Sequence, residues 1–93
     1  MLFPTGPVVM TQGIALRSQQ SKGFYHFVLQ SLQKHVNGKW GSIPASDRKL
    51  NDIAVKSGDR ILSAYKYSST GETIWIITEW DRSYTTVLFP EEY

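Results

Sequence analysis

The strongest hydrophobic pattern in the chain lies in its last third, where residues 74–83 read Ile-Trp-Ile-Ile-Thr-Glu-Trp-Asp-Arg-Ser. The first half of this run alternates as a β-strand does, and both alternating sets are apolar. Ile74 and Ile76 fall on one face of the strand, while Trp75 and Ile77 fall on the other. A small antiparallel sheet usually leaves one face in water. The pattern therefore predicts that helices, the N-terminal segment or a partner covers the second face.

Three strands of a β-meander are predicted around this run. They cover residues 60–67, 72–80 and 84–89, with turns at 68–71 and 81–83. The four-residue first turn pairs Tyr67 with Glu72, which places Tyr65 opposite Ile74. Ser63 then lies opposite Ile76, and Pro90 ends the last strand.

The register of the second hairpin stays open, because a slip of one residue exchanges the two faces of the sheet. A two-residue turn places Val87 and Phe89 with Ile74 and Ile76. A three-residue turn places the same two side chains with Trp75 and Ile77.

Two amphipathic helices are predicted before the meander, at about 23–36 and 45–57. The first carries a broad apolar arc formed by Phe24, Phe27, Val28, Leu29, Leu32 and Val36. The second carries a narrow stripe, predicted to be buried, formed by Leu50, Ile53, Ala54 and Ser57. Asn37-Gly38 ends the first helix and Gly58 ends the second, since glycine accepts the left-handed backbone conformation at little cost.

The N-terminal part is less regular. Residues 1–12 are expected to be irregular or to form an edge strand, with a fourth strand over about 7–11, and residues 11–20 fit a helix or a strand. We predict one domain over 1–93. Its fold class is α+β, with two helices packed on a three- to four-stranded antiparallel sheet.

Composition narrows the functional classes. The chain has 93 residues, no cysteine and a formal net charge of +2, with 41% hydrophobic residues, which are ample for a core. The lack of cysteine fits a reducing cytoplasm, and we expect a bacterial host cytoplasm as the location. No signal peptide or membrane-spanning run is recognised. Positive and negative charges alternate along the chain, whereas a nucleic-acid binder more often has a basic stripe.

No catalytic constellation is recognised, so we predict a protein that is not an enzyme and needs no cofactor or metal. His26 and His35 are nine residues apart on one helix and therefore point to opposite sides. His35 falls in the apolar arc and is predicted to be buried, while His26 is predicted to be solvated. Asp47 and Asp52 diverge on the second helix. Residues 38–41 lack the spacing of a phosphate-binding loop.

The aromatic and charged residues near the second hairpin are the best candidates for binding a partner. Tryptophan, tyrosine and arginine dominate the energetics of protein interfaces. The candidate partner-binding residues are Trp40, Glu79, Trp80, Asp81, Arg82 and Tyr84. Two alternatives are weighed against this interpretation. Trp40 would pack as a core residue against the first helix, and Arg82 would be a solvated loop tip next to an Asp81 that bonds the turn backbone.

Residues 24–93 resemble a group of small bacterial, phage and plasmid proteins of the type labelled plasmid-related. The matching pieces are Phe27-Val28, Leu32, Gly38-Lys39-Trp40-Gly41, residues 60–65, residues 74–83 and residues 85–93. Lys39 departs from the pattern, in which an acidic residue precedes Trp40. The family brings no established catalytic residues to carry over.

The resemblance implies a protein of mobile elements that interferes with bacterial defence. The leading hypothesis is an anti-CRISPR or anti-restriction protein that binds a Cas nuclease or another defence effector and blocks it sterically, as a monomer or a homodimer. One alternative is a small nucleic-acid-binding or regulatory module that uses Arg17, Lys34, Lys39, Arg48 and Lys49. Another is a toxin-like ribonuclease, which would need a histidine.

Overall fold

The computed structural model describes residues 1–93 and shows an α+β fold of three helices and a four-stranded, mostly antiparallel sheet. The elements are β1 (Val8–Met10), α1 (Gln12–Gln20), α2 (Lys22–Val36), α3 (Ala45–Ser57), β2 (Ile61–Lys66), β3 (Thr73–Thr78) and β4 (Thr85–Leu88), followed by a short 3-10 helix (Pro90–Glu92). The predicted fold class and the C-terminal meander are confirmed. No helix of this protein combines the length and the hydrophobicity that crossing a membrane would require.

Hydroxyl side chains set the starts of the first two helices. The Thr11 hydroxyl accepts a hydrogen bond from the Ile14 N–H, and the Ser21 hydroxyl accepts one from the Phe24 N–H at 3.1 Å. Residues 11–20, which fitted a helix or a strand, are therefore capped as a helix. Gly58 ends α3 in the left-handed conformation, as predicted.

The strand order is β1-β4-β3-β2, and β1 pairs in parallel with β4. The predicted fourth strand is present, but the prediction of a wholly antiparallel sheet is wrong at this pair. Helices α1, α2 and α3 and strands β2 and β3 lie between β1 and β4 in the chain. A connection of this length allows the two strands to run in the same direction.

Both hairpin registers are now fixed. Tyr65 lies opposite Ile74 and Ser63 opposite Ile76, as predicted. On the other side of β3, Ile76 pairs with Val87 of β4, and this is the register predicted for a two-residue turn. Ile76 and Val87 therefore share one face of the sheet.

Helices α1 and α2 cover that face, and the main core lies between them and the sheet. Its buried residues are Ile14, Phe24, Val28, Tyr65, Ile74, Ile76 and Val87. A second cluster joins the N-terminal segment and α3 to β2 and consists of Phe3, Trp40, Ile43, Ala54, Ile61 and Ala64. The N-terminal segment therefore packs through Phe3 into this second cluster.

Helix α3 lies along the outer edge of β2. The Asn51 side chain donates to the Leu62 carbonyl at 2.8 Å and accepts from the Leu62 N–H at 3.3 Å. These two bonds fix the rotation of the helix, so Asn51, Ala54 and Val55 face inward. Leu50 and Ile53 are 62% and 60% exposed, and the predicted buried stripe is wrong except at Ala54.

The loop before α3 closes the rest of this edge. The Ser42 N–H donates to the Ala64 carbonyl, and the Ala64 N–H donates to the Trp40 carbonyl. Gly41 approaches so closely that a Cβ atom there would lie 1.8 Å from the Ala64 carbonyl oxygen, and its φ is +78°. Only glycine fits this contact.

Candidate functional site

The candidate site is the second face of the sheet, here called the open face. One row across it contains Val9, Thr86, Ile77 and Leu62, and the next row contains Leu88, Trp75 and Ala64. Side chains alternate along a strand, so these residues point away from α1 and α2. Val9 is 45% exposed and Thr86, Leu62 and Trp75 are half-buried, whereas Ile77, Leu88 and Ala64 are buried.

Two parts of the chain shield the open face partially. The Tyr93 ring meets the Trp75 ring edge-on, with centroids 5.6 Å apart, and it is itself 67% exposed. The Arg60 guanidinium lies 5.2 Å from the Tyr93 ring centroid and donates to the Tyr93 hydroxyl at 2.7 Å. Side chains, rather than a helical layer, therefore close the centre of this face.

The exposed flank of α3 extends this apolar surface. Leu50 lines a shallow groove together with Leu62 and Arg60. Ile53 is also exposed on this helix, at 60%. Leu50 thus adjoins the sheet at Leu62, and exposed apolar surfaces often mark interaction sites.

The turn between β3 and β4 adjoins the open face and carries most of the predicted partner-binding residues. Trp80 is 65% exposed and Tyr84 is 44% exposed. The Glu79 N–H donates to the Tyr84 carbonyl, so these two residues still pair beyond the strand ends. Trp80 and Tyr84 are free to contact a partner.

Two carboxylates belong to the same turn. Asp81 is exposed, and its side chain accepts a hydrogen bond from the Ser83 N–H at 3.0 Å. Hydrogen bonds from Ser83 hold the pKa of Asp81 below its usual value, so it is ionised at neutral pH. The Glu79 carboxylate lies 3.9 Å from the Arg60 guanidinium.

Arg82 is a structural residue of the turn, and the alternative of a solvated loop tip is wrong. Its φ is 60°, and its guanidinium donates to the Ala54 carbonyl at 2.7 Å and to the Asp59 carbonyl at 2.6 Å. The guanidinium also donates to the Glu79 backbone carbonyl at 3.0 Å, and it lies 5.6 Å from the Phe3 ring centroid. Arg82 therefore ties the turn to the end of α3, and its donors point into the protein.

Trp40 is likewise part of the core. It is 3% exposed, and its ring meets Phe3 and His35. Its indole N–H donates to the Asp52 carboxylate at 2.9 Å. The structure thus places Trp40 away from the open face and confirms the alternative interpretation, in which it packs against the first predicted helix, α2.

His35 is fully buried, as predicted, and joins a chain of hydroxyl groups. Its Nδ1 lies 2.6 Å from the Ser63 hydroxyl, and its Nε2 lies 2.9 Å from the Thr78 hydroxyl. Thr78 is bonded to Thr85, whose hydroxyl donates to the Thr5 carbonyl. Since the Thr85 hydroxyl donates its only proton to the Thr5 carbonyl, its oxygen must accept the hydrogen bond from the Thr78 hydroxyl.

That direction fixes the histidine tautomer. The Thr78 hydroxyl donates to Thr85, so its oxygen accepts from the His35 Nε2–H. The His35 Nδ1 then accepts from the Ser63 hydroxyl. Burial, followed by the charge of Arg82, lowers the pKa of His35 to about 4. His35 is therefore a neutral structural residue, while His26 is exposed on the other side of α2, as predicted.

The candidate basic residues do not form one surface. Arg17 donates to both carboxylate oxygens of Glu72, at 2.9 Å for the shortest bond. Arg48 and Lys49 are exposed on α3. Lys34 lies on α2 and lines a groove between α2 and β2. No three metal-binding side chains come together anywhere in the chain.

Sequence reasoning missed several members of the open face. Val9 and Tyr93 were not among the predicted binding residues, and Leu50 and Ile53 were assigned to the core. The double-sided apolar pattern of β3 did signal that its second face required cover. No protein-family model, curated protein or solved structure matches this chain significantly.

Proposed function

We propose that this chain is a non-catalytic binding protein that occludes a partner protein through the open face and the adjoining turn. The observation that carries the proposal is the sheet face that lacks a helical layer yet displays Val9, Tyr84 and Tyr93 beside Trp80. Exposed tyrosine and tryptophan side chains of this kind are typical anchors of protein interfaces.

The charges around the surface favour a basic partner. Asp81 is exposed in the turn, Asp59 is exposed between α3 and β2, and Glu91 is exposed near Tyr93. The exposed Arg60 is paired with Glu79. Complementary charge accelerates association and selects among partners. A defence nuclease presents a basic surface where it holds nucleic acid, and covering that surface would block it sterically.

The resemblance to proteins of mobile elements supports the same class of partner. On this proposal the chain acts inside a bacterial host cell as an anti-CRISPR or anti-restriction protein, with a Cas nuclease or a related effector as its target. Two of the predicted binding residues have structural roles in this proposal, because Trp40 is buried and the Arg82 guanidinium is hydrogen-bonded to backbone carbonyls.

A matched pair of variants tests the surface. We expect the double substitution Trp80→Ala/Tyr84→Ala to weaken partner capture from an extract of a defence-competent host at least about 30-fold, since two interface anchors together contribute about 2 kcal/mol or more. Tyr25→Ala is the control, because Tyr25 is 46% exposed on α2, on the helical side of the molecule. The captured effector is then assayed for nuclease activity with each variant.

The expected result is capture and inhibition by the wild-type chain and by Tyr25→Ala but not by the double variant. All three should melt within a few degrees of each other, because the changed side chains lie at the surface. Undiminished inhibition by the double variant would exclude this surface as the binding site.

A second copy of the chain is the alternative occupant of the open face, since the N-terminal segment packs at the edge of the sheet and does not cover this face. Sedimentation velocity distinguishes the two cases. A dimer that the double substitution dissociates would assign the surface to self-association.

A further inference from the structure

A polar groove lies between α2 and the outer end of β2. Its volume is about 610 Å³, a size common in ligand sites. One wall is a continuous face of α2 that consists of Gly23, His26, Phe27, Gln30 and Lys34. The other wall contains Gly41, Ser42 and residues 64–68.

The groove is electropositive. Lys34 belongs to the α2 wall, Lys66 at the end of β2 belongs to the other wall, and no carboxylate lines the groove. The ion pairs of the chain are Arg17 with Glu72 and Arg60 with Glu79. Both groove lysines are therefore exposed and available to an anionic ligand.

The charge distribution of the whole chain reinforces this local charge. Residues 1–46 contain four Lys or Arg residues and no Asp or Glu, whereas all eight acidic residues lie in 47–93. The expectation of charges that alternate throughout the chain is therefore wrong in the first half. Helix α2 carries Lys22 and Lys34 and contains no carboxylate.

A flat aromatic wall stands beside the cations. The Phe27 and Tyr67 rings are stacked, with centroids 4.9 Å apart and an interplanar angle of 27°. Both side chains are half-buried and line the groove. The Tyr67 hydroxyl lies directly over Gly23, where a Cβ atom would be only 2.6 Å away, so Gly23 leaves room for the phenol.

We propose that this groove binds single-stranded nucleic acid through its phosphates. A lysine on each wall suits a charged backbone that runs between the walls, and the exposed parts of the Phe27 and Tyr67 rings can contact unpaired bases. Of the basic set that the sequence indicated, the groove contains only Lys34, and it adds Lys66. This ligand is independent of the protein partner proposed for the open face.

The test measures the fluorescence anisotropy of a labelled single-stranded oligonucleotide. We expect Lys34→Gln/Lys66→Gln to weaken binding about tenfold or more, and to reduce the slope of log affinity against log salt by about 1.4, since each lost phosphate contact removes about 0.7. Lys49→Gln/Lys56→Gln on α3 is the control, because it removes the same charge from exposed residues outside the groove.

The control should bind like the wild-type chain. Equal losses in both double variants, or the absence of binding at low salt, would overturn the proposal. Competition with a mononucleotide distinguishes the source of the phosphate: weak competition indicates a strand, and competition equal to that of the oligonucleotide indicates that a free nucleotide suffices. Both results retain the phosphate site, and circular dichroism verifies the fold of each variant.

Discussion

Acidification should destabilise this protein through one buried residue, His35. Burial and the neighbouring charge of Arg82 lower its pKa to about 4 in the folded chain, whereas the ordinary histidine value is 6.5. Between these two values the unfolded chain binds a proton that the folded chain does not bind. The stabilisation from neutral His35 is therefore complete above pH 6.5 and is lost progressively as the pH falls towards 4.

The size of the effect follows from the two pKa values. Each unit of difference corresponds to about 1.4 kcal/mol, so the complete loss is about 3 kcal/mol, and the loss between pH 8 and pH 5 is about 2 kcal/mol. Three carboxylates also have a lowered pKa and contribute at more acidic pH, namely Glu72, Asp81 and Glu92. Measurements at pH 5 and above therefore isolate the histidine.

The assay is urea denaturation followed by tryptophan fluorescence at pH 8, 7, 6 and 5. His35→Gln removes the titrating group while keeping an amide that can bond to the Ser63 and Thr78 hydroxyls. We expect this variant to be less stable at pH 8 but to lose about 2 kcal/mol less than the wild-type chain between pH 8 and pH 5. His26→Gln is the control, and it should retain the wild-type pH dependence because His26 is exposed.

The comparison refutes the reasoning if His35→Gln and the wild-type chain lose the same free energy of unfolding over this range. That result would mean that Ser63 and Thr78 reorient to accept a protonated imidazole at little cost. The proposed tautomer, with the proton on Nε2, would then have no consequence for stability.

Three further substitutions test structural roles by urea denaturation. Arg82→Lys should destabilise the fold by about 2 kcal/mol although it keeps the charge, since one ammonium group cannot reach all the carbonyls that the guanidinium bonds. Unchanged stability would show that Arg82 has no structural role and is free to bind a partner. Gly41→Ala should cost several kcal/mol, because it adds an overlap with the Ala64 carbonyl to a strain of about 1–2 kcal/mol. Gly71→Ala has a similar φ and meets only an ordinary contact with Lys66, so it should show the strain alone, and equal costs for the two variants would exclude the overlap. Phe3→Ala should cost about 3–4 kcal/mol, as for other buried phenylalanines, and a cost below 1 kcal/mol would show that the N-terminal segment is not part of the core.

The local pattern was sufficient to predict the elements that carry strong signals of their own. The period of α2, its glycine stop and the four-residue turn between β2 and β3 are properties of short stretches, so their bounds and the pairing of Tyr65 with Ile74 followed from sequence. The burial of His35 followed from its place in the apolar arc for the same reason. The exposure of Trp80 was also expected, from the polar residues around it.

Contacts between distant parts of the chain decided the rest. Leu50 and Ile53 have the spacing of a buried stripe, yet the two bonds from Asn51 to the edge of β2 turn them outward. In the sequence Arg82 resembles a free loop residue, but in the fold its guanidinium donates to a carbonyl near the end of α3. The sequence by itself determined that β3 has two apolar faces, because alternation is local. Only the tertiary structure decided which face stays open, because that depends on where distant helices and the N-terminal segment pack.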